Sequence, residues 1–205
     1  MLTIAVTGGI ACGKSAFTGR FRERVPEGGV SVFSCDEAVR ELNELPEVRE
    51  CIAGFGRGHG RSLGGSGGLD RTGFRELLFE NSEFRGKVEG LLHPLVLQRA
   101  VDHIRSLPPG VKILLVEVPL LYEADFPLSR DLDLAVAASE RVQTLRLRER
   151  RGFSGDLIRR MLRSQMPIEE KIKRADVVVW NEGSLDALNS QTDHLLSRCL
   201  TLFDS

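Results

Sequence analysis

Gly8-Gly9-Ile10-Ala11-Cys12-Gly13-Lys14-Ser15 is the stretch of this chain whose residue types and spacing most directly imply chemistry. It fits the phosphate-binding pattern G-x-x-x-x-G-K-[ST], between the apolar run Leu2-Thr3-Ile4-Ala5-Val6 and a stretch of helical periodicity. Glycines let the backbone curl so that successive N–H groups face phosphate oxygens, and the following helix adds its positive N-terminal end. Gly8, Gly9, Ala11, Cys12, Gly13, Lys14, Ser15 and Ala16 are therefore the candidate residues for a triphosphate. Lys14 would reach the outer phosphates as a compact charge, and the Ser15 hydroxyl would ligate magnesium. The alternative is a glycine turn that only joins strand to helix.

Two carboxylates are candidates to work beside that loop. Val30-Ser31-Val32-Phe33 reads as a second strand whose carboxyl end delivers Asp36, and ligands of open parallel sheets lie at that end. Asp36 either caps a helix over 36–45 or accepts a proton from an attacking hydroxyl. Glu117 ends the apolar strand Val111-Lys112-Ile113-Leu114-Leu115-Val116; it could hold a metal-bound water or cap the next turn. Arginine is dense from Arg141 to Arg163, where Arg146 and Arg150, four apart, share a helix face. A helical hairpin there, bending at Gly152, can close over phosphates; the alternative for most of its arginines is a solvated face.

The elements that must position these groups follow an alternating strand and helix pattern. Ser15–Arg24 reads as a helix with Ala16, Phe17 and Phe21 inward. Asp133–Ala138 and Ala175–Trp180 are strands too apolar to be half-exposed, and 185–203 is a closing amphipathic helix with Leu188, Leu195, Leu196 and Leu200 inward. Between the second and third strands the pattern turns helical, at 71–79 and at 84–92, and Leu91-Leu92-His93-Pro94-Leu95-Val96 opens or kinks a further helix running to about Leu107. His93 could bond a substrate or serve only structure. From Gly54 to Gly68, eight of fifteen residues are glycine, which predicts a mobile surface loop without regular structure. Its Arg57, His59 and Arg61 could touch an anion.

A chain of 205 residues suits one nucleotide domain with insertions, and a net charge of −1 supplies no field to recruit nucleic acid or an acidic membrane. Cys12, Cys35, Cys51 and Cys199 have no metal-ligand spacing. With no signal peptide or long apolar span in view, a reduced cytoplasmic setting and a monomer or weak homo-oligomer are expected. Cys12, at a helix N-terminus, is expected to have a lowered thiol pKa and to be shielded from alkylation by nucleotide, with Cys35 nearby; two inert buried thiols are the alternative.

Over nearly its full length the chain resembles the dephospho-coenzyme A kinases. The resemblance rests on Thr7 through Ser15, Asp36 with Ala38 and Arg40, Leu69-Asp70-Arg71, Leu91-Leu92-His93-Pro94-Leu95, and Val118-Pro119-Leu120-Leu121-Tyr122-Glu123. It continues through Gln143, Arg146, Arg150, Gln165-Met166-Pro167, Lys171, Ala175-Asp176 and Asn181. It implies an α/β P-loop kinase: a five-stranded parallel sheet flanked by helices (1–45, 108–139, 174–205), an inserted helical acceptor lobe (46–107) and a helical lid (140–173). It also implies transfer of the ATP γ-phosphate to the ribose 3'-hydroxyl of dephospho-coenzyme A, with Mg2+. By the same similarity Asp36 becomes the base or orienting carboxylate, Arg71 and His93 face the acceptor, Arg146 and Arg150 the phosphates, and Asn181 the adenine side. Cys12, Ser34 and the glycine tract depart from the family's usual pattern. The competing readings are a kinase of nucleoside monophosphates or a sugar acid, a nucleotide-driven switch, and nucleic-acid binding through the arginines. No Asn-Lys-x-Asp element supports a GTPase.

Overall fold

β1 (Leu2–Thr7) lies at the centre of a five-stranded parallel sheet, between β5 (Ile113–Glu117) and β6 (Leu132–Ala137). β2 (Val30–Ser34) and β7 (Val177–Trp180) form the edges. The structure, a computed structural model, describes residues 1–65 and 68–201, with the side chains of Arg150 and Arg151 outside the description. Ile4, Ala5, Val6 and Ile113–Leu115 are wholly buried, as a parallel sheet covered on both faces requires. The chain moves to one side of β1 for β2 and β5 and to the other for β6 and β7, which opens a crevice at the carboxyl end of β1.

α1 (Lys14–Glu23) and α9 (Leu185–Thr201) pack on one another, burying Phe17, Phe21, Leu188, Leu195 and Leu196 in the core, with Leu200 against it. The inward set expected for the closing helix is thus found as far as Thr201; the expected remainder to Phe203 lies outside the described residues. Ala16 is exposed, and Thr18 takes the inward place assigned to it, because Phe17, Thr18 and Phe21 fall on one face. β7 also departs from expectation. Val178 and Trp180 are 38% and 44% exposed while Val179 between them is buried, so one face of this edge strand is left uncovered although its sequence is wholly apolar.

Three helices join β6 to β7 where a hairpin was expected: α6 (Glu140–Arg151), α7 (Gly155–Arg163) and α8 (Ile168–Arg174). Ser139 and Ser154 cap the first two with their hydroxyls, and Gly152, at φ 64°, ends α6 in the left-handed conformation anticipated at the bend. These elements belong with the sheet in one compact unit, Met1–Ser34 with Ser106–Ser205; Cys35–Arg105 forms a second.

The second unit contains α2 (Cys35–Leu42), α3 (Pro46–Gly58), a two-stranded antiparallel ribbon of β3 (Gly64–Gly65) and β4 (Gly68–Leu69), α4 (Arg71–Glu80) and α5 (Ser82–Arg105). α5 is its spine. Phe84, Val88, Leu92, Val96 and Ala100 recur every fourth residue and are buried, and α2, α3 and α4 all pack on α5. One helix of 24 residues passes through Pro94, so the separate helices expected at 84–92 and onward to Leu107 are a single element and none opens at His93-Pro94. The glycine tract is corrected as well: α3 continues through Gly54, Gly56 and Gly58, and the ribbon follows. Of its basic residues, Arg61 lies 3.7 Å from Glu80, and His59 Nδ1 donates to the Phe55 carbonyl, 2.8 Å away. Among the described residues no helix is long and apolar enough to cross a membrane.

Candidate active site

The loop that leaves β1 needs glycine at two points. Gly8 has φ 142°, and a Cβ there would stand 2.1 Å from the Val136 carbonyl oxygen of β6. Gly13 has φ 95°, and its Cβ would meet the Asn181 amide nitrogen at 2.2 Å. Ala11 adopts a left-handed backbone without being glycine, at φ 58°. The loop is therefore wedged between β6 and the residue that follows β7. Lys14 is almost wholly buried, and its ammonium donates to the carbonyls of Gly8 and Gly9, 3.1 and 3.2 Å away.

Glu117, at the carboxyl end of β5, is 3% exposed and receives two hydroxyls from α1. Ser15 donates to Oε2 at 2.9 Å and Thr18 to Oε1 at 2.5 Å. Glu117 thus does not cap the following turn; it faces the first turn of α1, where the motif places the metal-ligating hydroxyl. One hydroxyl and one carboxylate fit a magnesium ion that takes its remaining ligands from phosphate and water. Among the described residues no three His, Cys, Asp or Glu side chains converge to form an all-protein cage.

Arg146 and Asn181 brace the loop from outside. The Arg146 guanidinium donates to the carbonyls of Ala11, Cys12 and Asn181 at 3.0, 3.3 and 2.7 Å. The Asn181 side chain donates to the Cys12 carbonyl at 2.8 Å. Arg150, one turn further along α6, has its side chain outside the described residues. Gly8, Gly9, Ala11, Cys12, Gly13, Lys14, Ser15, Glu117, Arg146 and Asn181 are accordingly brought together.

The other candidates stand in the second unit. Asp36 lies in the first turn of α2, so its carboxylate favours that helix end without being the cap; Arg71 opens α4 and pairs with Glu44 at 2.5 Å; His93 is a partly buried residue within α5.

Of the two readings of Cys12, the structure favours the inert buried thiol over the reactive one. Cys12 is fully buried, and that burial pushes its pKa up against the opposing influence of Lys14 and Arg146. The helix terminus loses to desolvation. All four cysteines are free, and Cys51 is the exposed one.

Several residues in these contacts were given no role by sequence. Thr18 follows Ser15 by three positions, the helical spacing that puts both hydroxyls on one carboxylate, and this signal was available. Gln143 donates to the Ala138 carbonyl at 2.9 Å behind the loop. Gln165 accepts the Ile10 N–H at 2.8 Å. Lys171 is wholly buried, donating to the Pro119 carbonyl at 2.6 Å and paired with Glu123 at 2.8 Å. Burial pulls the Lys171 ammonium below the ordinary lysine range, while the Glu123 carboxylate opposes the shift.

Residues 2–187 match the family model described as dephospho-CoA kinase. The chain belongs to the dephospho-CoA kinase family. A dephospho-CoA kinase of Geobacillus kaustophilus is 35% identical over 193 residues, 93% of this chain and 92% of that protein. One of Fusobacterium nucleatum is 32% identical, covering 92% and 93%. Among solved structures, TT1252 from Thermus thermophilus superposes with a TM-score of 0.76 at 28% identity, over 96% of this chain and 97% of that one. The dephospho-CoA kinase match takes in the loop, Glu117, all three helices between β6 and β7, and Asn181, and it ends inside α9.

Proposed function

We propose that the chain transfers the γ-phosphoryl group of ATP to the ribose 3'-hydroxyl of dephospho-CoA, giving ADP and CoA, in the cytoplasm. The observation that carries this is the pairing of Ser15 with Glu117 at the mouth of a glycine loop whose Lys14 is held inward, in a member of this family. In this reading the loop amides and Lys14 hold the β- and γ-phosphates, and Ser15 and Glu117 hold magnesium. When bound, the ion neutralises charge on the phosphoryl oxygens. Asn181 and Arg146 keep the loop in shape on the nucleotide's base side, and Arg150 faces the phosphates.

Asp36 takes the proton of the 3'-hydroxyl as its oxygen bonds to the γ-phosphorus and the bond from that phosphorus to the bridging oxygen breaks. Arg71 and His93 contact the acceptor, and the helices between β6 and β7 exclude water. A kinase of nucleoside monophosphates or a sugar acid is not favoured, since the family match spans nearly the whole chain. An ATP-coupled assay offering dephospho-CoA beside AMP, CMP and gluconate tests the reading. Stoichiometric ADP release with dephospho-CoA alone is expected; turnover of another acceptor in its place overturns it.

A further inference from the structure

The junction between α7 and α8, Gln165-Met166-Pro167, is tied to two parts of the core. Gln165 Oε1 accepts the Ile10 N–H at 2.8 Å, and the Met166 N–H donates to Glu123 Oε1 at 2.9 Å. Lys171, in α8, locks the same carboxylate from the buried side and also holds the Pro119 carbonyl, 2.6 Å away. The Ile10 N–H belongs to one planar peptide with the Gly9 carbonyl. That carbonyl accepts the Lys14 ammonium and the Cys12 N–H, each at 3.2 Å. One rigid unit is thus gripped at both ends, by Gln165 on its N–H and by Lys14 on its oxygen. Turning the peptide would break both contacts together.

We propose that Gln165 is a positioning residue for the phosphate-binding lysine: through the Gly9–Ile10 peptide it sets where the Lys14 ammonium rests, and the Glu123–Lys171 pair holds Gln165 in place to do so. This rests on the loop being the nucleotide site. It gives the junction a part in donor binding that a simple connector between helices would not have. The amide is suited to the task because its oxygen accepts a hydrogen bond without bringing a negative charge toward phosphate.

Gln165→Met keeps the length and bulk of the side chain and removes the acceptor. A single hydrogen bond to a loop amide corresponds to a loss of about five- to tenfold in affinity. The expected result is that rise in the Kd for ADP and the KM for ATP, an unchanged KM for dephospho-CoA and a melting temperature lowered by only about 1–6 °C, the cost of one hydrogen bond to the fold. A lysine-mediated effect must also disappear with the lysine, so on a Lys14→Ala background Gln165→Met should change ADP affinity less than twofold. Glu123→Gln, which retains an acceptor for Met166 and removes the charge facing Lys171, should weaken ADP binding without adding to the Gln165→Met effect. An unchanged ADP Kd in Gln165→Met overturns the inference. So does an equal fold-loss with and without Lys14. ADP binding is read without an acceptor; failure of the wild-type protein to phosphorylate dephospho-CoA would strike the proposed function instead.

Discussion

Asp36 and Lys14 carry different burdens, and substitution should separate them. An aspartate that only takes a proton in the transfer step contributes in the transition state and not to donor binding. Asp36→Asn is therefore expected to leave ADP affinity within about twofold and to lower kcat by about 10²–10⁴, the usual worth of a positioned base. In the proposed function Lys14 serves both bound phosphate and transition state, so in Lys14→Ala Kd and kcat should both suffer; titration calorimetry and steady-state kinetics make the comparison. Cys12 offers a second residue-scale test. Its folded pKa is raised, so its contribution is intact below the ordinary thiol range, about 8.5, and stability is lost as pH climbs through that range toward the folded value. The fall in urea midpoint between pH 8 and pH 10 should be smaller in Cys12→Ala than in wild type. In native protein iodoacetamide should modify Cys51 first and reach Cys12 only on unfolding.

Elements show where local rules and packing disagree. Glycine is a poor helix former, which is why the tract from Gly54 reads as loop; yet α3 runs through Gly54, Gly56 and Gly58. At Gly56 a Cβ would stand 2.7 Å from Leu63 Cγ and Cδ1 and 3.1 Å from the Arg61 carbonyl, so the returning chain packs directly on the helix backbone. At Gly54 it would meet only the flexible end of Arg57, at 3.6 Å. Gly56→Ala should therefore destabilise by about 1–3 kcal/mol through overpacking, and Gly54→Ala should stabilise by about 0.4–1 kcal/mol through helix propensity, both measured by urea unfolding. This contact between distant residues explains what sequence could not give. The strand, glycine loop and helix at the start were legible because the spacing of Gly8, Gly13, Lys14 and Ser15 is a local pattern; that Val136 and Asn181 press on Gly8 and Gly13 was not, since both come from distant parts of the chain. The exposure of Val178 and Trp180 was not, since apolarity alone does not distinguish an edge strand from a central one. Cys12 had two readings in sequence, and its burial selects the inert one; the helix N-terminus is visible in sequence and the burial is not. Thr18 was within reach, one turn beyond Ser15 on the same helix face.

For the molecule as a whole, the proposed donor binding and folding are linked by mass action, because the glycine loop takes its shape only when the sheet is assembled. β1, β5 and β6 supply its origin, Glu117 and the wall against Gly8, and α6 and the end of β7 supply Arg146 and Asn181. Every one of these belongs to the unit formed by Met1–Ser34 and Ser106–Ser205. A ligand at a hundred times its Kd stabilises the folded state by about 2.7 kcal/mol. For a chain of this size that corresponds to a rise in melting temperature of about 5–10 °C. Scanning calorimetry with ATP and magnesium should show that shift in the transition containing the sheet. Lys14→Ala, weakened about a hundredfold, should gain only about 1 °C at the same concentration, since its Kd then equals the ligand concentration. A wild-type transition that stays in place under saturating nucleotide would mean that the glycine loop grips no phosphate, and the proposed phosphoryl transfer would lose its donor site.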